Sequence, residues 1–206
     1  MAVLDLNFKL LRLSVYALLD DPRGWSIQGF GMLRKYLTPD VRLHVWSPAH
    51  AVPGVTTIHD HPWSFTSVIV AGEITDKTYE RNFNPELPKT HHQHKITCGV
   101  GGHVRPETYP DVCLRIEKRR VFGPGESYQH FSEDLHETVA VNGSVTIISR
   151  VPSRYDATEA NVCVPLGQSF VSAEPREATP EEVEQITQDA KTRIEIEARF
   201  GTTGGI

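Results

Sequence analysis

The chain has only three cysteines, Cys98, Cys113 and Cys163, an odd number scattered over 206 residues. That usage excludes a disulfide framework and fits a reducing compartment, so a cytoplasmic location is expected. Long apolar runs are missing too: none approaches the roughly 20 residues that span a bilayer. The N-terminus carries Asp5 and lacks a basic stretch followed by a small-residue cleavage site, so neither a membrane partner nor a secretory signal is expected. Basic excess is absent. With a net charge of −5, nothing is left over to neutralise phosphates, which argues against a nucleic-acid partner. The hydrophobic fraction of 39% and charged fraction of 23% are those of an ordinary globular chain, and the length fits one domain spanning 1–206.

Histidine is what the chain has in plenty. There are ten, most of them crowded between His59 and His136. Around them the apolar period changes. Leu6, Leu10, Leu13 and Leu18 or Leu19 recur at near-helical spacing behind Asp5, and Asp20 to Gly24 stops that helix. A second short helix is expected over Trp25 to Leu37, completing a helical extension over residues 1–38. Alternation with period 2 then predicts strands at Val41–Trp46, Val55–His61, Phe65–Ala71, Val112–Glu117, Glu137–Val141 and Ser144–Ser149. Asn142-Gly143 predicts a type I′ hairpin between the last two, because both residues tolerate positive φ. The stretch Asp76–Lys118, with loop signals at Asn84-Pro85 and Gly99 to Gly102, is expected to form an extra hairpin or lid. Several short strands punctuated by Pro and Gly point to an antiparallel barrel or sandwich, with its core over 41–152.

The tail over 153–206 returns to helix at about residues 180–200. Thr179-Pro180-Glu181-Glu182 combines an N-cap, a proline at the first helical position and a capping-box Glu. Val183, Ile186, Ala190 and Ile194 follow as one narrow apolar stripe, Gly201 marks the stop, and Thr202 to Ile206 are expected to be mobile.

His59-Asp60-His61 is the centre of the functional reading. On a strand, residues two apart point the same way at ~3.3 Å rise per residue, so both imidazoles can grip one metal ion. A third ligand must come from another strand, and His136, after the turn-rich Gly123-Pro124-Gly125, is the best candidate.

With those residues in place, a resemblance becomes visible. Gly54–Gly72 (GVTTIHDHPWSFTSVIVAG) is similar to the first cupin motif, and Gly125–Gly143 (GESYQHFSEDLHETVAVNG) looks like a loosened second one. The His-Asp-His-Pro-Trp core resembles small uncharacterised bacterial and phage cupins. The Ile58–His61 and Leu135-His136 patterns also look like those of cysteine dioxygenase-type thiol dioxygenases. The resemblance implies a mainly β cupin (double-stranded β-helix, jelly-roll) barrel with N-terminal helices and a C-terminal helix, and a homodimer. Where many cupins carry a Glu ligand, this chain has Phe65 or Thr66, so the resemblance implies a three-His site. Three neutral ligands leave the 2+ charge and open positions, which suits a small anionic substrate beside O2. Fe(II) is therefore favoured, and Zn, Mn or Ni stay open. The leading expectation is a dioxygenase-like oxidoreductase; the alternatives are a Lewis-acid isomerase, lyase or hydrolase, and a non-catalytic binding or assembly protein. The thiol dioxygenases carry a Tyr on the strand after the last ligand, where this chain reads Ile148–Pro152 without one, and that speaks against a thiol substrate.

Other residues are candidates of lower rank. Trp63, Phe65 and Thr66 follow the His pair as a pocket wall, while Arg42, His44 and Trp46 share one strand face that is either pocket or surface. Arg115, Arg119, Arg120 and Arg150 could clamp a carboxylate or simply face solvent. Tyr128 could be a general acid, although a loop surface position is the plainer expectation. Asp60 and Glu137 neighbour the ligands and could orient them. His91, His92, His94, His103 and Cys98 match no structural zinc spacing and read as a polar loop.

Overall fold

The computed structural model describes residues 2–97, 107–151 and 158–200. Cys98, His103, the Gly99–Gly102 loop, Pro152, Gly201 and Thr202–Ile206 lie outside these residues. The elements are α1 (Ala2–Leu19), β1 (Trp25–Gln28), β2 (Phe30–Tyr36), β3 (Val41–Ala51), β4 (Ser64–Ala71), β5 (Ile74–Asn82) and β6 (His91–Thr97). They continue as β7 (Glu107–Phe122), β8 (Ser127–His130), β9 (His136–Ala140), β10 (Ser144–Val151), β11 (Glu159–Pro165), β12 (Arg176–Glu177) and α2 (Pro180–Phe200). The fold is mainly β. Seven strands form one antiparallel sheet in the order β12-β1-β2-β3-β10-β4-β8, and five form a second in the order β11-β6-β7-β5-β9.

Side-chain alternation assigns the two faces of the larger sheet. Leu33, Leu43, Val45, Val70 and Val145 point outward and pack with Val15 and Leu19 of α1 and Val183, Ile186, Ala190 and Ile194 of α2. Met32, Trp46, Phe65, Ile69 and Ile148 point inward and meet Ile74 and Phe122 of the smaller sheet. The helices are thus one layer, and the space between the sheets is another core.

The C-terminal helix begins as its sequence dictates. Glu182 N–H donates to Thr179 Oγ1 (3.3 Å) and Thr179 N–H donates to Glu182 Oε2 (2.9 Å), a complete capping box. One N-terminal helix is present, not two. Its Leu6, Leu10 and Leu13 face outward, while Val15, Leu19, Leu11 and Leu18 pack inward. The expected helix forms, and of the leucines that signalled it only Leu18 and Leu19 lie on the packed face.

Four local expectations are corrected. Trp25–Leu37 forms strands β1 and β2, since Trp25 and Ile27 alternate with Ser26 and Gln28 and only the first pair is buried. Val55–His61 forms no continuous strand; His59 makes isolated bridges to His136 and Val162. Asp76–Lys118 supplies most of β5, all of β6 and much of β7; consecutive β6 and β7 pair antiparallel as the expected hairpin, but as the body of the smaller sheet and not as a lid. Asn142-Gly143 closes no hairpin, because β9 and β10 belong to different sheets. Gly143 has φ 75°, Asn142 has no positive φ, and Ser144 N–H donates to Val141 C=O at 3.0 Å. The turn hands the chain from one sheet to the other.

Gly72, just after β4, shows how tightly that crossover is packed. Its φ is 78°, and a Cβ there would lie 2.7 Å from Ser144 Cα and 2.2 Å from Ser144 Oγ. Ser144 Oγ in turn accepts Glu73 N–H at 3.1 Å. Gly72→Ala is expected to cost about 2 kcal/mol or more, by left-handed backbone strain plus the clash. Chemical denaturation of the variant checks it.

Candidate metal centre

The segment Ile58–Asp60 runs between the two edge strands of the smaller sheet. His59 N–H donates to His136 C=O at 3.0 Å and His136 N–H returns to His59 C=O at 2.9 Å. On the other side Asp60 N–H donates to Asn161 C=O (3.0 Å) and Cys163 N–H to Ile58 C=O (2.9 Å). His59 and His136 are thus a mutually bonded backbone pair whose side chains share a face. His61 follows two residues later, and the ligand atoms of His59, His61 and His136 all lie within 4.8 Å of one another. A group this close could hold a metal ion.

The tautomers fit that role. His59 Nδ1 donates to Thr57 C=O (2.8 Å) and His136 Nδ1 to Asp134 C=O (3.0 Å), which leaves each Nε2 as a bare electron pair. Burial lowers the pKa of His59, and lowers those of His61 and His136 well below 6.5, with neighbouring imidazoles adding to the effect. All three are neutral near pH 7, the form that ligates.

Each imidazole also has an aromatic neighbour. Phe30 stacks on His59 at 5.2 Å between ring centres, Trp63 on His61 at 4.6 Å, and His130 on His136 at 4.2 Å. Phe65 packs edge-on against His61 at 5.1 Å. These rings fix the imidazole planes and keep the pocket apolar.

Two carboxylates hold the backbone around the site. Asp60, 1% exposed, accepts Asn161 N–H (2.6 Å) and Nδ2–H (2.7 Å), with Arg81 at 3.5 Å. Glu137 accepts Thr57 Oγ1–H (2.6 Å), Lys77 Nζ–H (2.8 Å) and Tyr79 O–H (2.9 Å). Since Thr57 C=O accepts the His59 Nδ1–H, Glu137 reaches the His59 imidazole through one residue.

The remaining candidates separate. Trp63 and Phe65 line the site, and Arg42 lies 4.7 Å from the Trp63 ring centre. His44 is buried on the same strand face as Arg42. Thr66 alternates with Phe65 and so points away from it. Tyr128 is not on a loop surface: it is buried on β8, stacked on Phe122 at 4.9 Å, and burial raises its pKa. Arg150 pairs with Phe65 across β10 and β4. Arg115 and Arg119 are exposed on β7, as the plainer reading held. His91, His92 and His94 sit on β6, not in a loop; His91 Nδ1 bonds Thr90 Oγ1 and His92 Nδ1 bonds Asp111 Oδ1, while His94 packs on Phe170 at 5.2 Å between ring centres, and among the described residues the three join no metal-binding group.

Sequence reasoning missed His130. It is 1% exposed, and its Nε2 bonds Asp76 Oδ1 at 2.8 Å while Arg120 bonds Asp76 Oδ2 at 2.8 Å. Its only signal was the two-residue spacing from Tyr128. Asp76 gave none.

No family model and no curated protein matches the chain. The site therefore stands on its own geometry.

That geometry has a consequence for acid stability. In the metal-free protein the folded-state pKa values of the three histidines lie below the ordinary 6.5. As pH falls through 6.5 the unfolded chain takes up protons that the fold refuses, so stability present above that pH is lost below it. Unfolding free energy, and the thermal midpoint with it, is expected to drop as pH falls below the ordinary 6.5, by up to ~1.4 kcal/mol per pH unit per group. The slope should flatten in His59→Gln, His61→Gln protein, as scanning calorimetry would show.

Proposed function

We propose that the two sheets form a cupin-type barrel and that His59, His61 and His136 hold one divalent ion, Fe(II) in preference. The chain then acts as a non-haem oxygenase-like enzyme on a small molecule. The observation that carries this reading is the donor set: three neutral imidazoles within 4.8 Å, with no carboxylate among them. When bound, such an ion supplies an undiminished 2+ charge and open positions for substrate and O2.

The chain's own residues do the rest. Thr57 and Asp134 carbonyls hold the Nδ1 protons of His59 and His136, so that both present Nε2. Phe30, Trp63 and Phe65 pack against the imidazoles and shield them in part, His59 and His61 staying half-buried and His136 buried. Arg42, stacked on Trp63, sets a positive field beside His61.

Elemental analysis of protein purified without added metal or an affinity tag is the test. The expected result is iron near one atom per chain, lost in a His59→Ala, His61→Ala variant, with O2 uptake on some member of a small-molecule panel. Stoichiometric zinc, manganese or nickel would move the chemistry to Lewis-acid isomerase, lyase or hydrolase work. No metal after reloading would sink the reading and leave a binding protein.

The same reading takes the chain as a homodimer. Leu6, Leu10 and Leu13 are 57%, 53% and 68% exposed on the outer face of α1, at the three–four spacing of a helix–helix seam. Light scattering is expected to give twice the 23.1 kDa chain mass, and the mass of one chain at every concentration would count against it.

A further inference from the structure

His44 lies mid-strand on β3 with 5% of its surface exposed, and neither ring nitrogen has a hydrogen-bond partner among the described residues. Folds rarely leave buried polar atoms unpaired, and each case calls for an explanation such as a bound water or ligand. The residue is not a casualty of a polar cluster that could pair it internally. In register it stands opposite Arg34 on β2 and Thr146 on β10, and Thr146 Oγ1 already accepts Trp46 Nε1–H at 3.2 Å.

The surroundings of His44 are basic. Arg42 shares its strand face two residues away, and Arg34 faces it across the β2–β3 pair. Burial, then Arg42 and Arg34, hold the imidazole in its neutral form. It therefore offers one N–H donor and one bare nitrogen in a positive field.

The same interior face leads to the metal centre. The Arg42 guanidinium lies 4.7 Å from the Trp63 ring centre, and Trp63 stacks on His61. On the other side Trp46, two residues beyond His44, packs in one cluster with Phe65, which touches His61 and His136.

We propose that His44, flanked by Arg42 and Arg34, seats the carboxylate of a small organic acid whose other end faces the three-histidine site. A carboxylate accepts from the His44 N–H and is held by the field of both arginines, whereas a neutral polar group would gain only the hydrogen bond. The second half of this statement rests on the metal reading above; the first half rests on His44 alone. A phenyl ring at position 44 would fill similar space without unpaired nitrogens. His44 thus costs the ligand-free fold stability in exchange for binding.

The test uses succinate, which offers one carboxylate to each end, and its neutral diamide succinamide. Both are titrated into full-length protein, zinc-loaded as a redox-inert stand-in and metal-free, with tryptophan fluorescence as the readout. Saturable succinate binding is expected, weaker by about tenfold or more for succinamide and for the His44→Phe variant. That variant should still take up one zinc per chain and should melt at a higher temperature than wild type. Should it fail to fold, Arg34→Gln, at a half-buried position, is expected to weaken succinate several-fold while leaving zinc uptake unchanged. Absent succinate binding, equal binding by His44→Phe and wild type, a lowered melting temperature in His44→Phe, or inorganic phosphate bound as tightly as succinate would each overturn the assignment. His44-dependent succinate binding to a protein that takes up no zinc would overturn the metal reading and leave the carboxylate seat standing.

Discussion

The candidate site depends on one short run of backbone, Ile58–Asp60, strapped between β9 and β11. Those two strands are the edges of the five-stranded sheet. An open edge is a row of unpaired N–H and C=O groups that must be covered or paired. Here the strap bonds His136 on one side and Asn161 and Cys163 on the other, so one segment covers both edges at once. Two ligand positions follow directly. His59 and His136 exchange backbone bonds, and their imidazoles lie side by side, 4.7 Å between ring centres. Asp60 secures the arrangement: its carboxylate replaces water with the Asn161 amides, which makes removal of the buried anion's partners costly.

Around this strap, the aromatic rings serve two ends with one set of contacts. Stacked rings leave each imidazole few accessible orientations, and the apolar surround penalises the protonated form. Rigid and neutral ligands need neither reorganisation nor proton loss to bind an ion near pH 7. His130 extends the pattern away from the site. It is parallel to His136 to within 15°, and it is anchored by Asp76 on β5, which in turn reaches Arg120 directly opposite on β7.

What the sequence made legible was what local chemistry decides. The capping box at Thr179–Glu182 and the stripe of α2 are fixed by residues within two turns of each other, and both occur as expected. The grouping of His59 and His61 with His136 was also readable, and the three come close enough together that they could hold an ion. The failures are tertiary. Trp25–Leu37 is apolar enough for either period, and its pairing with β3, β12 and the helices decided for strand. Asn142-Gly143 has the composition of a hairpin, yet β9 pairs with β5 and β10 with β3 and β4, so the turn joins two sheets instead. Val55–His61 alternates like a strand but serves as a strap that bonds each neighbour only briefly. Asp76 and His130 are far apart in sequence and carry no local pattern.

The charge balance of the interior bears on what the site can bind. Three neutral imidazoles would leave a divalent ion uncompensated, in a space that Arg42 and Arg34 already make positive. The nearby carboxylates among the described residues are committed elsewhere: Asp76 to His130 and Arg120, Asp60 to Asn161 and Arg81, Glu137 to Lys77, Tyr79 and Thr57, and Asp134 to the Phe131 N–H. A buried 2+ charge without an anion is strongly disfavoured in a low-dielectric surround. Under the proposed metal reading, compensation would arrive with the substrate, so an anionic substrate would do more than occupy the site. It would strengthen the ion's hold, and the ion would strengthen its own, because the coupling between two bound partners is reciprocal.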